Sequence, residues 1–416
     1  MASVEEQIDH DFDEEIGSGS IELGRKVSNF GVEMTLEANT TMLRKILIRS
    51  IMSLHFVLSK EKICLMLPFG PLALLLHYLT GNQNIMFYLG LLGMIPLGDR
   101  LNYASKELAY YTRPIVRVYL LAIFSNATDM IISIHALRNG MLSTVRESLL
   151  GSVLSNLLLI PGCAFFTGGI VHSMRLQYFS KASATARSGL LLMAVMGIMF
   201  PNVLHFTHTG VHFGKSELFL SRFSSCIMLV AYACYLHFQF QIKQSLDDTL
   251  TLEEVDEEEV CGLSKWEAIG WLALLIAWTF VLTKHLVDAI QVASESTNIP
   301  QAVITGIILP LVERASAIMF AMKDKMDITL EDAVGSSIRL IMFVMPFSVL
   351  VGWFMGLWLD LNFPLFQTAV LLMSVLISAY VLQEGFSHYL KGLMLLLCYL
   401  IVVASFLVHV EPDSED

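Results

Sequence analysis

The sequence predicts an all-α polytopic membrane protein of about eleven transmembrane helices, arranged as two inverted five-helix repeats after one extra first helix. Three observations carry that expectation. Composition is the first: 55% of the 416 residues are hydrophobic and only 15% are charged, with a mean hydropathy of +0.63, against about 25% charged residues in soluble domains. The second is the recurrence of apolar runs of about 20 residues, the length at which a helix spans the hydrocarbon core. The third is a pair of acids inside such runs, Asp129 and Glu313, each followed by Gly-Ser at the same offset; Ser152 and Ser336 both lie 23 residues on. A carboxylate in a membrane helix is expensive and marks a functional site by default.

The spans fall at about 63–82, 85–103, 114–138, 145–171, 186–207, 217–240, 266–290, 299–322, 332–356, 365–384 and 388–409. Five domains follow. Residues 1–62 form an N-terminal tail, 63–240 a first block of six spans, 241–265 an acidic linker, 266–409 a second block of five spans, and 410–416 a short tail. Five helices per repeat is an odd number, so the second repeat inverts relative to the first. Arg44, Lys45, Arg49, Lys60 and Lys62 precede the first span, which puts the N-terminus and the linker in the cytosol. No cleavable signal peptide is visible, and the first span serves as the signal anchor.

The net charge of −12 sits in the N-terminal tail and the linker, not among the spans. It argues against nucleic-acid binding. The linker has three readings: a solvated hinge, a regulatory cation-binding segment, or a dock for a basic partner. The six cysteines are scattered without a CxxC pair and read as small packing residues. The sequons at Asn39 and Asn126 are expected to go unused, the first being cytosolic and the second intramembrane.

The two acid-bearing units carry the chemistry. One reads SNATD…ALRNG…SLLGSVLSNLLLIPG and the other ERASAIMFAMKDK…AVGSSIRLIMFVMP. In each, small polar residues and a proline follow Gly-Ser. Small residues let helices approach closely, and Pro161 and Pro346 free carbonyls to line a cavity. Crossed as an inverted repeat, the four helices bring Asp129 and Glu313 together at mid-membrane. Two carboxylates with Asn126, Ser152, Ser155, Asn156, Ser336 and Ser337 supply the hard oxygens that Ca2+ takes. Facing carboxylates also repel, which favours taking up protons. A site holding either a divalent ion or protons is the minimum for antiport. The bland reading is a pair of structural intramembrane acids salt-bridged to arginine.

At these residues the chain resembles the plant-type vacuolar cation/proton exchangers of the Ca2+/cation antiporter superfamily. LPFGPLALLLHYLTG, SELFLSRFSSCIMLVAY, SKWEAIGWLA, AIMFAMKDKMDITL, LWLDLNF, LQEG and YLKGLMLLLCYLIVVASF carry the likeness, which runs from about residue 64 to 410. The resemblance implies a multi-pass vacuolar membrane protein that moves cytosolic Ca2+ against protons. It also implies an N-terminal tail that can be autoinhibitory. Ca2+ and H+ are then transported ions, with no cofactor and no enzymatic reaction. Related exchangers are candidate partners in homo- or hetero-oligomers.

The motifs depart from that family. Its G-N-A-T-E is Ser125-Asn126-Ala127-Thr128-Asp129 here, with an acid shorter by one bond of about 1.5 Å. Its G-N-A-A-E-H is compressed: Pro310-Leu311-Val312 runs straight into Glu313-Arg314, so four residues are missing. Four residues are about one helical turn (~400° against 360°), which keeps Glu313 near register. A family Gln becomes Arg339, and a family Gly-Val becomes Glu331-Asp332. Arg314 and Arg339 either oppose a dication or pair with Glu313 and Glu331 and close the site. The rival to an active Ca2+/H+ antiporter is therefore a transport-impaired paralogue that modulates active exchangers by hetero-oligomerisation; a misplaced splice boundary before Glu313 is a third explanation.

Lesser signals stay secondary. His205, His208 and His212 share a helix face and read either as interfacial residues or as a zinc or luminal pH site. His135 and His285 read as packing residues. Glu384 is either part of a proton path or an interfacial acid paired with Lys391. No Walker motif or nucleophile triad occurs, so ATP-driven pumping has no support.

Overall fold

The computed structural model describes residues 66–171, 177–178, 181–207, 215–250, 264–314, 326–357, 359–361 and 363–408. All lie in one unit, Glu61–Asp416. They are almost entirely helical. α1 (Phe69–Thr80) ends on Gly81 in the left-handed region and leads into α2 (Gln83–Tyr110), whose N-terminus is capped by the Asn82 side chain. α3 (Pro114–Phe124) and α4 (Ala127–Arg138) form one span bent by 48°. α5 (Leu142–Leu154) passes through a π turn, Ser155–Leu159, into α6 (Ile160–Val171). α7 (Lys181–Thr207), α8 (Lys215–Leu250) and α9 (Lys265–Thr297) are long and single. α10 (Gln301–Val303), a π turn Ile304–Ile308 and α11 (Leu309–Glu313) make the next span. α12 (Met326–Arg339), a π turn Leu340–Val344 and α13 (Met345–Phe354) follow. α14 (Leu365–Gln383) and α15 (Tyr389–Val408) close the described chain.

Among the described residues seven helices are long and apolar enough to cross a membrane, eight if the bent pair α3–α4 counts as one span. Each expected span meets a helix, but not all reach that length or apolarity. α1 is apolar and short, as is Gln301–Val312. α2 carries Asp99, Arg100, Lys106 and Glu107. The N-terminal tail, most of the acidic linker, His208 and His212 lie outside the described residues.

Burial separates centre from periphery. In α5–α6, 83% of the apolar stretch is buried, and in the span ending at Phe354, 67%. The other five spanning helices bury 22–44% and turn the rest outward, where lipid would lie. The two central spans are the Gly-Ser helices of the two repeats. Around them α2 packs on α9, α6 on α15, α7 on α14, and α8 on α13.

Each π turn stands just ahead of a proline: Pro161, Pro310 and Pro346 are each two residues beyond one. Proline lacks an N–H and its ring collides with the carbonyl four residues back, so an α-helix must open there. The carbonyl that Pro161 leaves without its helical donor is met from another helix. Leu157 O, four residues before Pro161, accepts a hydrogen bond from Ser378 Oγ at 3.0 Å.

Two glycines set the tightest crossings. A Cβ on Gly151 of α5 would stand 1.8 Å from Gly306 O in the π turn Ile304–Ile308, and one on Gly392 of α15 would stand 2.3 Å from Phe166 N. A two-residue antiparallel pair, β1 (Gln177–Tyr178) with β2 (Phe386–Ser387), ties the α6–α7 connection to the α14–α15 turn. In that turn Lys391 pairs with Glu384, as expected, and Nζ also donates to Phe386 O at 2.7 Å. His135 packs on Phe280, with a ring nitrogen 2.9 Å from Phe280 O. Cys226 and Cys234, expected to pack, are exposed instead. Their helix α8 is peripheral and offers them an outward face.

Gly151→Ala is expected to lower the unfolding temperature of the purified protein in detergent, because over-packing at so close a crossing costs about 1–3 kcal/mol or more. Gly189→Ala on α7 meets nothing within 4 Å and is the matched control. Equal unfolding temperatures for the two variants would show that the crossing has room.

Candidate functional site

The α3–α4 bend exists because the helix breaks at Ser125–Asn126. Ser125 Oγ donates back to Leu121 O, and Asn126 stands outside α4 with φ −120° and ψ 28°. The break places Asp129 in the first turn of α4, where the helix dipole favours an acid. Asp129 is buried, at 3% exposure. Its Oδ1 accepts from Ser152 Oγ of α5 at 2.7 Å, and Ser133 Oγ donates to its backbone carbonyl at 2.8 Å. Sequence reasoning placed Asp129 and Ser152 in one site, and the structure brings them together.

Asp129 Oδ2 is occupied by an arginine. Arg314 Nη2 lies 2.6 Å from it, with the Asp129 side chain only 2% exposed. This is the pairing that the bland reading of the sequence expected, an intramembrane acid salt-bridged to arginine, at one of the two acids. Adjacent helical residues do not face one another, and Arg314 follows the last turn of α11 with φ −94° and ψ 4°, so its guanidinium crosses to α4. The Glu313 side chain lies outside the described residues.

A second cluster forms at the break itself. Asn126 Oδ1 accepts from Ser336 Oγ at 3.0 Å and from Arg339 Nε at 3.4 Å, while Asn126 Nδ2 donates to Ser336 O at 3.5 Å. Asn126 is 1% exposed, which excludes glycosylation there. Arg339 also lies 3.5 Å from Asp332 on its own helix. Seven residues are nearly two full turns, so 332 and 339 share a face. The Glu331 side chain is outside the described residues.

The remaining candidates separate. Ser155 Oγ stands 3.3 Å from Tyr399 OH of α15. Ser337 Oγ donates to Ala333 O within its own helix at 3.1 Å. Asn156 is buried, and its Nδ2 has no hydrogen-bond partner among the described residues. Asp129, Ser152, Asn126 and Ser336 are thus the oxygen donors that the helix breaks gather, with Arg314 and Arg339 beside them. Several oxygens around a buried carboxylate suit a hard cation. The arginines hold the same oxygens in its absence.

Sequence reasoning missed one acid. Glu147 of α5 is 4% exposed and accepts a hydrogen bond from Thr305 Oγ1 in the facing π turn. The signal was present: Thr144, Glu147, Ser148, Gly151 and Ser152 recur at helical spacing inside an apolar run.

Comparison with known proteins agrees with this architecture. The profile of the sodium/calcium exchanger protein family matches residues 83–241 and 267–408. Vacuolar cation/proton exchanger 2 of Oryza sativa subsp. japonica is 57% identical over 377 residues, covering 88% of this chain and 86% of the relative. Vacuolar cation/proton exchanger 5 of Arabidopsis thaliana is 55% identical over 374 residues, 88% and 85% of the two chains. The crystal structure of the selenium-substituted Ca2+/H+ antiporter protein YfkE superposes with a TM-score of 0.68 at 27% identity, covering 83% of this chain and 99% of that one. The profile match spans both helical blocks and skips the acidic linker between them; the chain belongs to the sodium/calcium exchanger protein family.

Proposed function

We propose that this chain is a cation/proton antiporter of the vacuolar membrane, exchanging luminal protons for cytosolic Ca2+ or another divalent cation. Asp129 carries the exchange. The supporting observation is its position: a buried carboxylate at a broken helix, hydrogen-bonded to Ser152 of the helix that crosses it. Relatives with the same two blocks are named vacuolar cation/proton exchangers, and the transport-impaired alternative is not favoured. The N-terminus is assigned to the cytosol from the cations that precede the first span.

The chemistry is a competition for one carboxylate. A proton neutralises Asp129 directly. A divalent cation neutralises it with charge to spare and draws on Ser152, Asn126 and Ser336 for further oxygens. Proton and cation exclude each other from Asp129, which is the requirement for exchange. Arg314 adds a third occupant. Its guanidinium is a tethered monocation that satisfies Asp129 when neither ion is bound, and it must leave when Ca2+ arrives. A second charge at about 5 Å and an effective dielectric of ~20 opposes a dication by several kcal/mol. Arg314 therefore weakens cation affinity without removing the site.

Full-length protein in acidified vesicles tests this. Ca2+ uptake is expected to disappear when the proton gradient is collapsed and to be abolished by Asp129→Asn. No uptake by correctly inserted wild-type protein would refute the proposal.

Arg314→Gln is expected to raise apparent Ca2+ affinity by about tenfold or more, equivalent to ~1.4 kcal/mol or more. Restoring the missing turn before Glu313 together with Arg339→Gln is expected to raise uptake as well. Unchanged transport in these variants would show that the arginines do not oppose the cation.

A further inference from the structure

Glu147 has no role in the exchange described above, yet it sits on a polar seam that leads to Asp129. Thr144, Glu147, Ser148, Gly151 and Ser152 follow one another at i, i+3, i+4, i+7 and i+8, so they line one face of α5. That face meets α10 and the π turn Ile304–Ile308. Gln301 Nε2 donates to Thr144 Oγ1 at 2.9 Å, Thr305 Oγ1 donates to Glu147 Oε2, and Gly306 O packs on Gly151. Thr144, Ser148 and Thr305 are all buried. Beyond the glycine crossing the seam ends at Ser152 and Asp129. At its other end Ser143 and Pro300 are exposed.

The seam has a definite side. Gln301 follows the Thr297 end of α9, and the opposite end of α9 begins at Lys265, just after the acidic linker. The seam therefore opens on the face away from the linker, which is the luminal face when the linker is cytosolic. That is the side from which an exchanger that moves Ca2+ into an acidic compartment draws its protons.

We propose that Glu147 is a proton-relay carboxyl between the luminal face and Asp129. Glu147 and Ser152 are five residues apart, about 7.5 Å along the helix, a gap that the Ser148 hydroxyl and one water bridge. In one cycle the Glu147 carboxylic acid releases its proton along the bridge to the Asp129 carboxylate, leaving Glu147 as carboxylate. A luminal proton then restores it, so one proton moves inward per cycle and Glu147 is unchanged. Gln301–Ile308 contains no titratable residue. Among the described side chains, the charged or titratable groups on elements packed against α5 are Asp129, His135 and Arg138 of α4, Arg314 beyond α11, and Asp332 and Arg339 of α12; Glu313, Asp327 and Glu331 of α11 and α12 have side chains outside the described residues. Tyr380 of α14 and Tyr399 of α15 are titratable groups on two further helices packed against this span. On α5 itself Arg146 lies 3.6 Å from Asp360. His135 is turned to Phe280 O and Arg314 to Asp129.

The inference rests on the antiport reading, and two transport modes tell them apart. Proton-driven Ca2+ uptake needs proton movement, while exchange of labelled for unlabelled Ca2+ across a membrane without a gradient does not. In vesicles carrying the full chain, Glu147→Gln is expected to slow proton-driven uptake at least about tenfold and to leave Ca2+/Ca2+ exchange unchanged, with Glu147→Asp partly restoring uptake. Thr305→Val keeps the carboxyl and is expected to shift the pH profile of uptake. A parallel fall of both modes in Glu147→Gln, or no change in either, would overturn the relay; so would an unmoved pH profile in Thr305→Val. Wild-type protein without proton-driven uptake would remove the antiport reading and the relay together, whereas normal antiport in Glu147→Gln would remove the relay alone.

Discussion

The contact of α5 with the π turn Ile304–Ile308 sets the distances on which the centre of this protein depends. With Gly306 O at 1.8 Å from where a Gly151 Cβ would be, the two backbones touch. Nothing apolar draws helices together in lipid, so close packing and hydrogen bonds must do it. The consequences run both ways along α5. One residue beyond Gly151, Ser152 reaches Asp129; one turn before it, Glu147 reaches Thr305. These side chains are short or of middling length. A crossing held apart by even one methyl group would leave the serine and threonine hydroxyls out of range.

Proline and polar side chains divide the remaining work. Pro161 and Pro346 each force an opening in a central span, Pro310 does so in the α10–α11 span, and a π turn takes each up within five residues. Opening a helix in a membrane strands carbonyls that no water will satisfy. At Leu157 the Ser378 hydroxyl meets that need from another helix. Asn126 does the same at the α3–α4 break, where both ends of its amide engage Ser336. The helix breaks are therefore docking points between the repeats, and the candidate site lies where they meet.

Much of this was legible in the sequence. The apolar runs located the helices, the intramembrane acid and the Gly-Ser offset located Asp129 and Ser152, and the Glu384–Lys391 pair was one of the two readings of Glu384. What was not legible is which faces cross. Sequence periodicity fixes neighbours within a helix and says nothing of the helix opposite. One reading paired the intramembrane acids with arginine without saying which, and the Arg314–Asp129 contact joins residues 185 positions apart. Arg339 meets Asn126 at the α3–α4 break as well as Asp332 on its own helix, and only the second contact lies within reach of sequence spacing. Glu147 was overlooked for a related reason. Its partner Thr305 lies 158 residues away in the chain, on a facing element.

The internal arginine also changes what couples the two ions. An exchanger avoids slippage when its empty site carries uncompensated negative charge, because that charge is costly to carry through the low-dielectric centre of the bilayer. Only loading with protons or a cation lifts the cost. In this chain Arg314 neutralises Asp129 when the site is empty, so Asp129 alone no longer imposes that penalty. On the antiport reading proposed above, coupling then has to draw on negative charge other than that of Asp129. The two acids, equivalent by their offset to Gly-Ser, are made unequal by the arginine that Asp129 holds.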